Sequence, residues 1–240
     1  MLIKTEAIIL NSLKHSDKTT IVNCYTKHFG RISFAVFCTH GKKSAVRTAH
    51  LQPLSVVEID VMHVPGRDMQ RIKDLKMDFT FSSIPFDPVK SALALFLAEM
   101  LSKVLRQPDE DDILFNFLLD SVKYLDKENQ NLADFHLIFL LKLTQYLGFY
   151  PNYDSNEIKY FDLMNGVFEL HKPSHTHFLS DDYALLFFSL LNSDYNETGH
   201  LNIGRNTRKI LLKAILDYYR LHVSDFHGLK SLAVFQSLFD

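Results

Sequence analysis

The chain is poor in cysteine, glycine and proline, and it has no long apolar run. Its two cysteines, Cys24 and Cys38, are too few for a disulfide framework or a cysteine-rich metal site, so thiol chemistry is not expected to organise the fold. Eight glycines and seven prolines in 240 residues exclude collagen-like and low-complexity readings. With 47% apolar and 22% charged residues, the composition is that of a globular protein. The longest uninterrupted apolar stretch, residues 92–98, is closed by Glu99 and falls far below the ~20 residues that span a bilayer. Glu6 stands where a signal peptide would keep its apolar segment. No membrane contact is expected, and the expected location is the cytoplasm.

What is present is an uneven distribution of charge. The net charge of −2 combines twelve Lys/Arg against seven Asp/Glu in residues 1–78 with fourteen against twenty-one in residues 79–240. A basic first part and an acidic remainder predict two surfaces with different partners. The apolar pattern changes at nearly the same place. Residues 2–12, 19–26, 31–38, 54–64 and 69–77 are rich in β-branched and aromatic side chains and are separated by turn signals, which predicts five strands. In the fourth, Val57, Ile59 and Val61 alternate with Val56, Glu58 and Asp60, the period of a half-buried strand. The sequences Lys27-His28-Phe29-Gly30 and Pro65-Gly66-Arg67-Asp68 read as hairpin turns. Five antiparallel strands in so short a segment favour closure, which removes exposed edges. An OB-type barrel leads, with an SH3-like barrel left open because periodicity counts strands without ordering them.

After Pro85 the period becomes helical. Asp87-Pro88 is a start signal, and an apolar stripe from Leu93 to Leu105 follows. A second helix begins among the acids of residues 109–112. A third, over residues 132–147, is apolar on nearly every side and is expected at the centre of a bundle, ending at Gly148. Further helices are predicted at 181–191, 204–222 and 228–239. The expected class is therefore α+β: an OB-type barrel at 1–80, then an α-helical bundle domain at 81–240. Within the latter, residues 150–179 are expected as an irregular, polar insertion, weakly strand-like at 158–163 and 167–170, with Tyr150, Tyr153, Tyr160, Phe161 and Phe168 filling its space.

Enzymatic chemistry finds no support in the motifs. No Gly-x-Ser-x-Gly elbow, His-Glu-x-x-His helix or phosphate-binding loop occurs, and Gly41-Lys42-Lys43-Ser44 lacks the upstream glycine of the last. Cys24 reads as a buried small hydrophobe. No catalytic residue and no small-molecule substrate are expected.

The stretches Lys4-Thr5-Glu6-Ala7-Ile8-Ile9-Leu10, Ser16-Asp17-Lys18, Tyr25-Thr26-Lys27-His28-Phe29-Gly30-Arg31-Ile32, Gly41-Lys42-Lys43-Ser44 and Leu51-Gln52-Pro53-Leu54, with Tyr218-Tyr219-Arg220-Leu221-His222 and Leu229-Lys230-Ser231-Leu232 near the end, resemble the RecO family of bacterial recombinational-repair mediators. The resemblance implies an N-terminal OB-fold and a helical C-terminal domain. It also implies binding of single- and double-stranded DNA, annealing of complementary strands, and recombinase loading together with RecR at strands coated by single-strand-binding protein. One departure stands out: many RecO-like chains carry a four-cysteine zinc module between their central helices, and here residues 150–173 contain no cysteine. No zinc and no other cofactor are expected. His171, His175 and His177 could supply three imidazoles, but Pro173 between them and the absence of a nearby His/Glu helix motif argue against a metal site.

For DNA contact the chain offers Lys42, Lys43 and Arg47 in the connection between the third and fourth strands, with Arg31, Arg67, Arg71 and Lys73 as extensions of the same patch. Basic loops beside a barrel suit phosphates without reading sequence. Phe34 and Phe37 are candidates for base stacking, of which at most one is expected outside the core. In the acidic part, Arg205, Arg208, Lys209 and Lys213 cluster at the start of one helix beside the apolar Leu211, Leu212, Ile215 and Leu216, with Arg220 and Lys230 as further candidates. That pairing predicts a site for an acidic peptide with a hydrophobic end, which the resemblance implies is the tail of single-strand-binding protein. A competing reading is an interaction scaffold that binds RecR and little DNA.

Overall fold

A computed structural model of the protein describes residues 2–16, 19–37, 48–67, 69–129, 132–153, 157–195 and 201–238. Five strands, β1 (Leu2–Lys14), β2 (Thr19–Thr26), β3 (Gly30–Phe37), β4 (Val56–Met62) and β5 (Met69–Phe79), close into a barrel in the order β1-β2-β3-β5-β4. Neighbours run antiparallel except β3 and β5, which meet in parallel at Ser33–Met69, Phe34–Gln70 and Ala35–Arg71. This order is the OB-type arrangement, and it decides between the two barrels that periodicity left open. Alternation sends Ala7, Ile9, Val22, Cys24, Phe34, Val36, Val57, Ile59, Val61 and Leu75 inward. Each buried aliphatic of this size contributes about 1.5–3 kcal/mol. Gly30 closes the β2–β3 hairpin at φ +54° and lies against the backbone of residues 107–109, where a Cβ would collide.

Part of the outer wall is also buried. Ile8, Tyr25 and Val56 stand side by side across β2, β1 and β4 and are shielded from solvent. Helix α1 (Pro88–Val104) packs on β1, and Phe115 of α2 (Asp112–Lys127) stacks near Tyr25 at 6.5 Å. Asp87 caps α1 as expected, accepting from the N–H groups of Val89 at 2.8 Å and Lys90 at 3.2 Å. Asp126 of α2 gathers the segment between barrel and helix: it accepts from the N–H groups of Ser82, Ser83 and Ile84. Beside it Lys90, only 1% exposed, donates to the Ser83 hydroxyl and to the Asp126 carbonyl. The last helix, α6 (Ser231–Leu238), lies on α1, with Phe96 and Phe235 stacked at 4.6 Å.

The chain forms two compact units, residues 1–127 with 229–238, and residues 128–228. The pattern change near residue 80 marks where strands give way to helices, whereas the compact units divide the chain elsewhere: α1, α2 and α6 belong with the barrel. The second unit holds α3 (Phe135–Tyr146), α4 (Asp181–Leu191) and α5 (Arg205–His222). Helix α3 is apolar on nearly every side because it is buried on nearly every side, from Phe135 to Thr144 except at Lys142.

The insertion expected as a polar loop is a small sheet. Strands β6 (Asn152–Tyr153), β7 (Tyr160–Asp162), β8 (Val167–Glu169) and β9 (Phe178–Ser180) pair in the order β6-β8-β7-β9. Strands of two and three residues show few periods, so only β7 and β8 fall on the weak strand signals at 158–163 and 167–170, and aromatic packing holds the sheet. Phe161 lies 4.4 Å from Phe168, 4.5 Å from Phe187 and 5.4 Å from Tyr218, ring centre to ring centre. Tyr150 and Tyr153 remain exposed.

Candidate nucleic-acid interface

The β4–β5 hairpin is the best-defined basic element of the barrel. Its turn carries Gly66 at φ +75° and an exposed Arg67. The turn is tied from below by Gln70, which occupies an inward slot opposite Phe34. The Gln70 Oε1 accepts from the Val64 N–H at 2.8 Å, and Nε2 donates to the carbonyls of Val64 and Arg67 at 2.8 and 2.7 Å. Sequence reasoning passed over Gln70; the signal was a polar residue at an inward position of an alternating strand. Along β5, Arg71 projects outward between Ala35 and Met62. Lys73 is the extra residue where the register with β4 shifts between Asp60 and Val61, and a bulge of this kind turns a side chain away from the ladder. Both are exposed. Arg67, Arg71 and Lys73 have no acidic partner among the described residues. A groove of about 350 Å³ separates the hairpin from the β2–β3 turn, lined by Phe29, Ser33, His63 and Arg67. The Phe29 and His63 rings stack in it at 4.8 Å.

Arg31 lines the same groove, but its guanidinium is engaged elsewhere. Its guanidinium donates to the carbonyls of Ser102 at 2.8 Å and Leu105 at 3.2 Å, the open acceptors at the C-terminal end of α1. Burial lowers its pKa from the ordinary value. Beside it, Ser33, Asn23, Asn11 and Ser102 form a hydrogen-bonded row from β3 to α1, so this stretch of wall is a helix seat. Lys42, Lys43 and Arg47 lie outside the described residues. Phe34 is in the barrel core; the Phe37 side chain lies outside the description.

The basic cluster of α5 is divided by the helical period. Arg208 is ion-paired to the buried Asp134 at 2.7 Å and also donates to the Ile203 carbonyl. Arg220 pairs with Asp217 one turn back on the same helix. Arg205 and Lys213 are exposed and Lys209 is half-buried. Leu211, Leu212, Ile215 and Leu216, expected to offer an apolar surface, are all in the core. The exposed apolar side chains of α5 are Ile210 and Leu221.

A groove of about 680 Å³ between β1, α1 and α6 has an apolar floor from Leu10, Leu95 and Val234 and a basic rim from Lys103 and Lys230. Glu99 also faces it, but its carboxylate accepts from the N–H groups of Lys230 and Ser231 and from the Ser231 hydroxyl, capping α6. Burial alone would raise the Glu99 pKa, yet these bonds from Ser231 and Lys230 bring it below the ordinary value. The sequence offered Lys230 as a candidate but did not mark the groove, because its walls come from segments far apart in the chain.

The three histidines of the insertion do not converge. His175 Nδ1 accepts the His177 N–H, so Nε2 carries the proton and donates to Asp162 at 3.1 Å. Both ring nitrogens are thus engaged without a metal. Among the described residues no group of three His, Cys, Asp or Glu side chains is placed to hold one. No described helix is long and apolar enough to cross a membrane. Cys24 is buried, which pushes its thiol up to about 12, a thiol rather than a thiolate.

Two family models cover nearly the whole chain: recombination protein O, N terminal, matches residues 1–81, and recombination protein O, C terminal, matches residues 85–233. Curated proteins named DNA repair protein RecO are similar over their full length and all of this chain, with 42% identity in Bacteroides fragilis, 39% in Azobacteroides pseudotrichonymphae and 34% in Flavobacterium psychrophilum. An OB-type barrel with a basic hairpin, a helical remainder and these end-to-end similarities lead to one conclusion: the chain belongs to the RecO family of DNA repair proteins.

Proposed function

We propose that this chain is a non-enzymatic mediator that binds single- and double-stranded DNA, anneals complementary strands and, with RecR, helps load recombinase onto strands coated by single-strand-binding protein. The observation that carries DNA binding is the grouping of Arg67, Arg71 and Lys73, exposed on one hairpin and strand of a closed OB-type barrel. OB-folds commonly engage oligonucleotides through the β4–β5 loop. Lys42, Lys43 and Arg47, in the connection that follows β3, extend the proposed phosphate path by chain position. Arg31 is left to its helix. Annealing needs no covalent step, since cations that neutralise two backbones let base pairing supply the free energy.

For the partner tail we favour the β1–α1–α6 groove over α5, because it combines an apolar floor with two lysines, whereas Leu211, Leu212, Ile215 and Leu216 of α5 are core. A second reading, a scaffold for RecR with little DNA contact, is supported by one observation. An outward row of Leu13, Ile21, Ala35, Met62 and Leu2 crosses the barrel wall around Arg71, and Leu13 is 65% exposed. Single-strand binding across a salt series separates the two. The mediator reading expects the Lys42, Lys43 and Arg47 triple Ala variant to lose about two units of the log–log salt slope, at ~0.7 per phosphate contact, equally for every sequence. A parent protein that binds no strand at low salt would leave the scaffold.

A further inference from the structure

We infer that Gln70 is a positioning residue for nucleic-acid binding, its amide fixing the β4–β5 hairpin so that Arg67 meets a phosphate in one orientation; this deepens the reading above and rests on it. Gln70 is 2% exposed, at a slot that alternation gives to the barrel interior. An amide there is unfavourable unless its polar atoms are matched. All three of its bonds end on the hairpin backbone, two at Val64 and one at Arg67. Because Oε1 faces an N–H and Nε2 faces two carbonyls, the amide orientation is set by its partners.

Among the described residues the backbone bond across the turn, Arg67 N–H to Val64 carbonyl, is long at 3.3 Å. The turn also contains Gly66, the residue with the most conformations to lose. A cation at the tip of such a turn would have to be ordered on each binding event, and fixing it beforehand removes that loss from the affinity. Arg71 is positioned by the ladder, between Ala35 and Met62, and needs no such support. The chemistry recognised is a phosphodiester backbone.

The test is a double-mutant cycle on the full chain, read as anisotropy of a labelled single strand over a salt series, with a thermal melt of each variant. Arg67→Ala should weaken binding about fivefold at low salt and lower the slope by ~0.7. Gln70→Met, which keeps the volume and removes the amide, should do nearly the same. The double variant should bind no more weakly than Arg67→Ala alone, while Gln70→Met combined with Arg71→Ala should lose the product of the two single effects. Should Gln70→Met fail to fold, Gln70→Asn keeps the chemistry and loses the reach, and enters the same cycle. A Gln70 variant that binds like the parent, or an Arg67–Gln70 pair whose losses multiply, overturns the inference alone. An Arg67→Ala variant that binds like the parent overturns the assignment of the hairpin as well.

Discussion

The two sheets of this protein reach order by opposite routes. The barrel has strands of seven to thirteen residues, and every strand has two neighbours. Its interior is mostly aliphatic, with Phe34 the only aromatic residue in the buried cluster. The sheet of the second unit has strands of two or three residues, and a few rings hold it. Phe161 and Phe168 are fully buried against Phe187. Tyr218 crosses to donate to the Phe149 carbonyl at 2.5 Å. Gly166, at φ +67°, leaves room for the Tyr218 hydroxyl. Closure distributes stabilisation over many small contacts, so no one contact is decisive; a short sheet concentrates it in a few large side chains.

The largest effect should follow from Phe161→Ala, which removes the ring that touches three others. About 4 kcal/mol should be lost, seen in urea unfolding as a lower midpoint for the second unit with the barrel transition in place. If both units fail together, or if the loss is under about 1 kcal/mol, the contrast between them is wrong. Asp126→Asn should come next. Burial would raise that carboxyl, but the N–H groups of Ile84, Ser82 and Ser83 and the Ser82 hydroxyl hold it at about 2. An amide would turn an N–H toward those donors, and about 3 kcal/mol should be lost, this time from the barrel's unit.

Acid should separate the units without any mutation. Burial first, and then the Arg208 cation, push His136 down to about 3, so the folded second unit resists a proton that its unfolded chain accepts near 6.5. Its stability should fall by up to about 1.4 kcal/mol per pH unit as pH drops from 6.5 toward 3. For Asp126 the sign is the same but the window lower: its contribution is complete above about 4 and lost as pH falls toward 2. Between pH 6.5 and 4.5 the second unit alone should weaken, by about 2 kcal/mol, and His136→Phe should flatten that dependence. The smallest effect is expected for Ile59→Val in the barrel, about 1 kcal/mol; a cost equal to that of Phe161→Ala would erase the distinction between distributed and concentrated packing.

The same contrast explains what could be read in advance. Five strands and six helices were legible because each runs long enough to show its period or a cap: Val57, Ile59 and Val61 for the barrel, and Asp87-Pro88 for α1. Of the four short strands only β7 and β8 were marked, weakly, at residues 158–163 and 167–170, since Tyr160 to Asp162 contains one alternation and no more; β6 and β9 were not. Among the candidate site residues, residue type and chain position marked the cations correctly as cations, and said nothing of what each would face.

What the sequence determined by itself is therefore local and periodic: element type, approximate ends, the inward face of each long strand, and the absence of cysteine ligands in the insertion. What only the tertiary structure decided depends on distant partners. It ordered the strands into an OB-type barrel and gave three helices to the barrel's unit. It engaged Arg31 with the carbonyls that end α1 and Arg208 with Asp134, and left Arg67, Arg71 and Lys73 exposed. It also set Gln70 under the hairpin. A cation's role depends on which acceptors lie within about 3 Å of it, and for these residues the acceptors come from segments as far as 74 positions away.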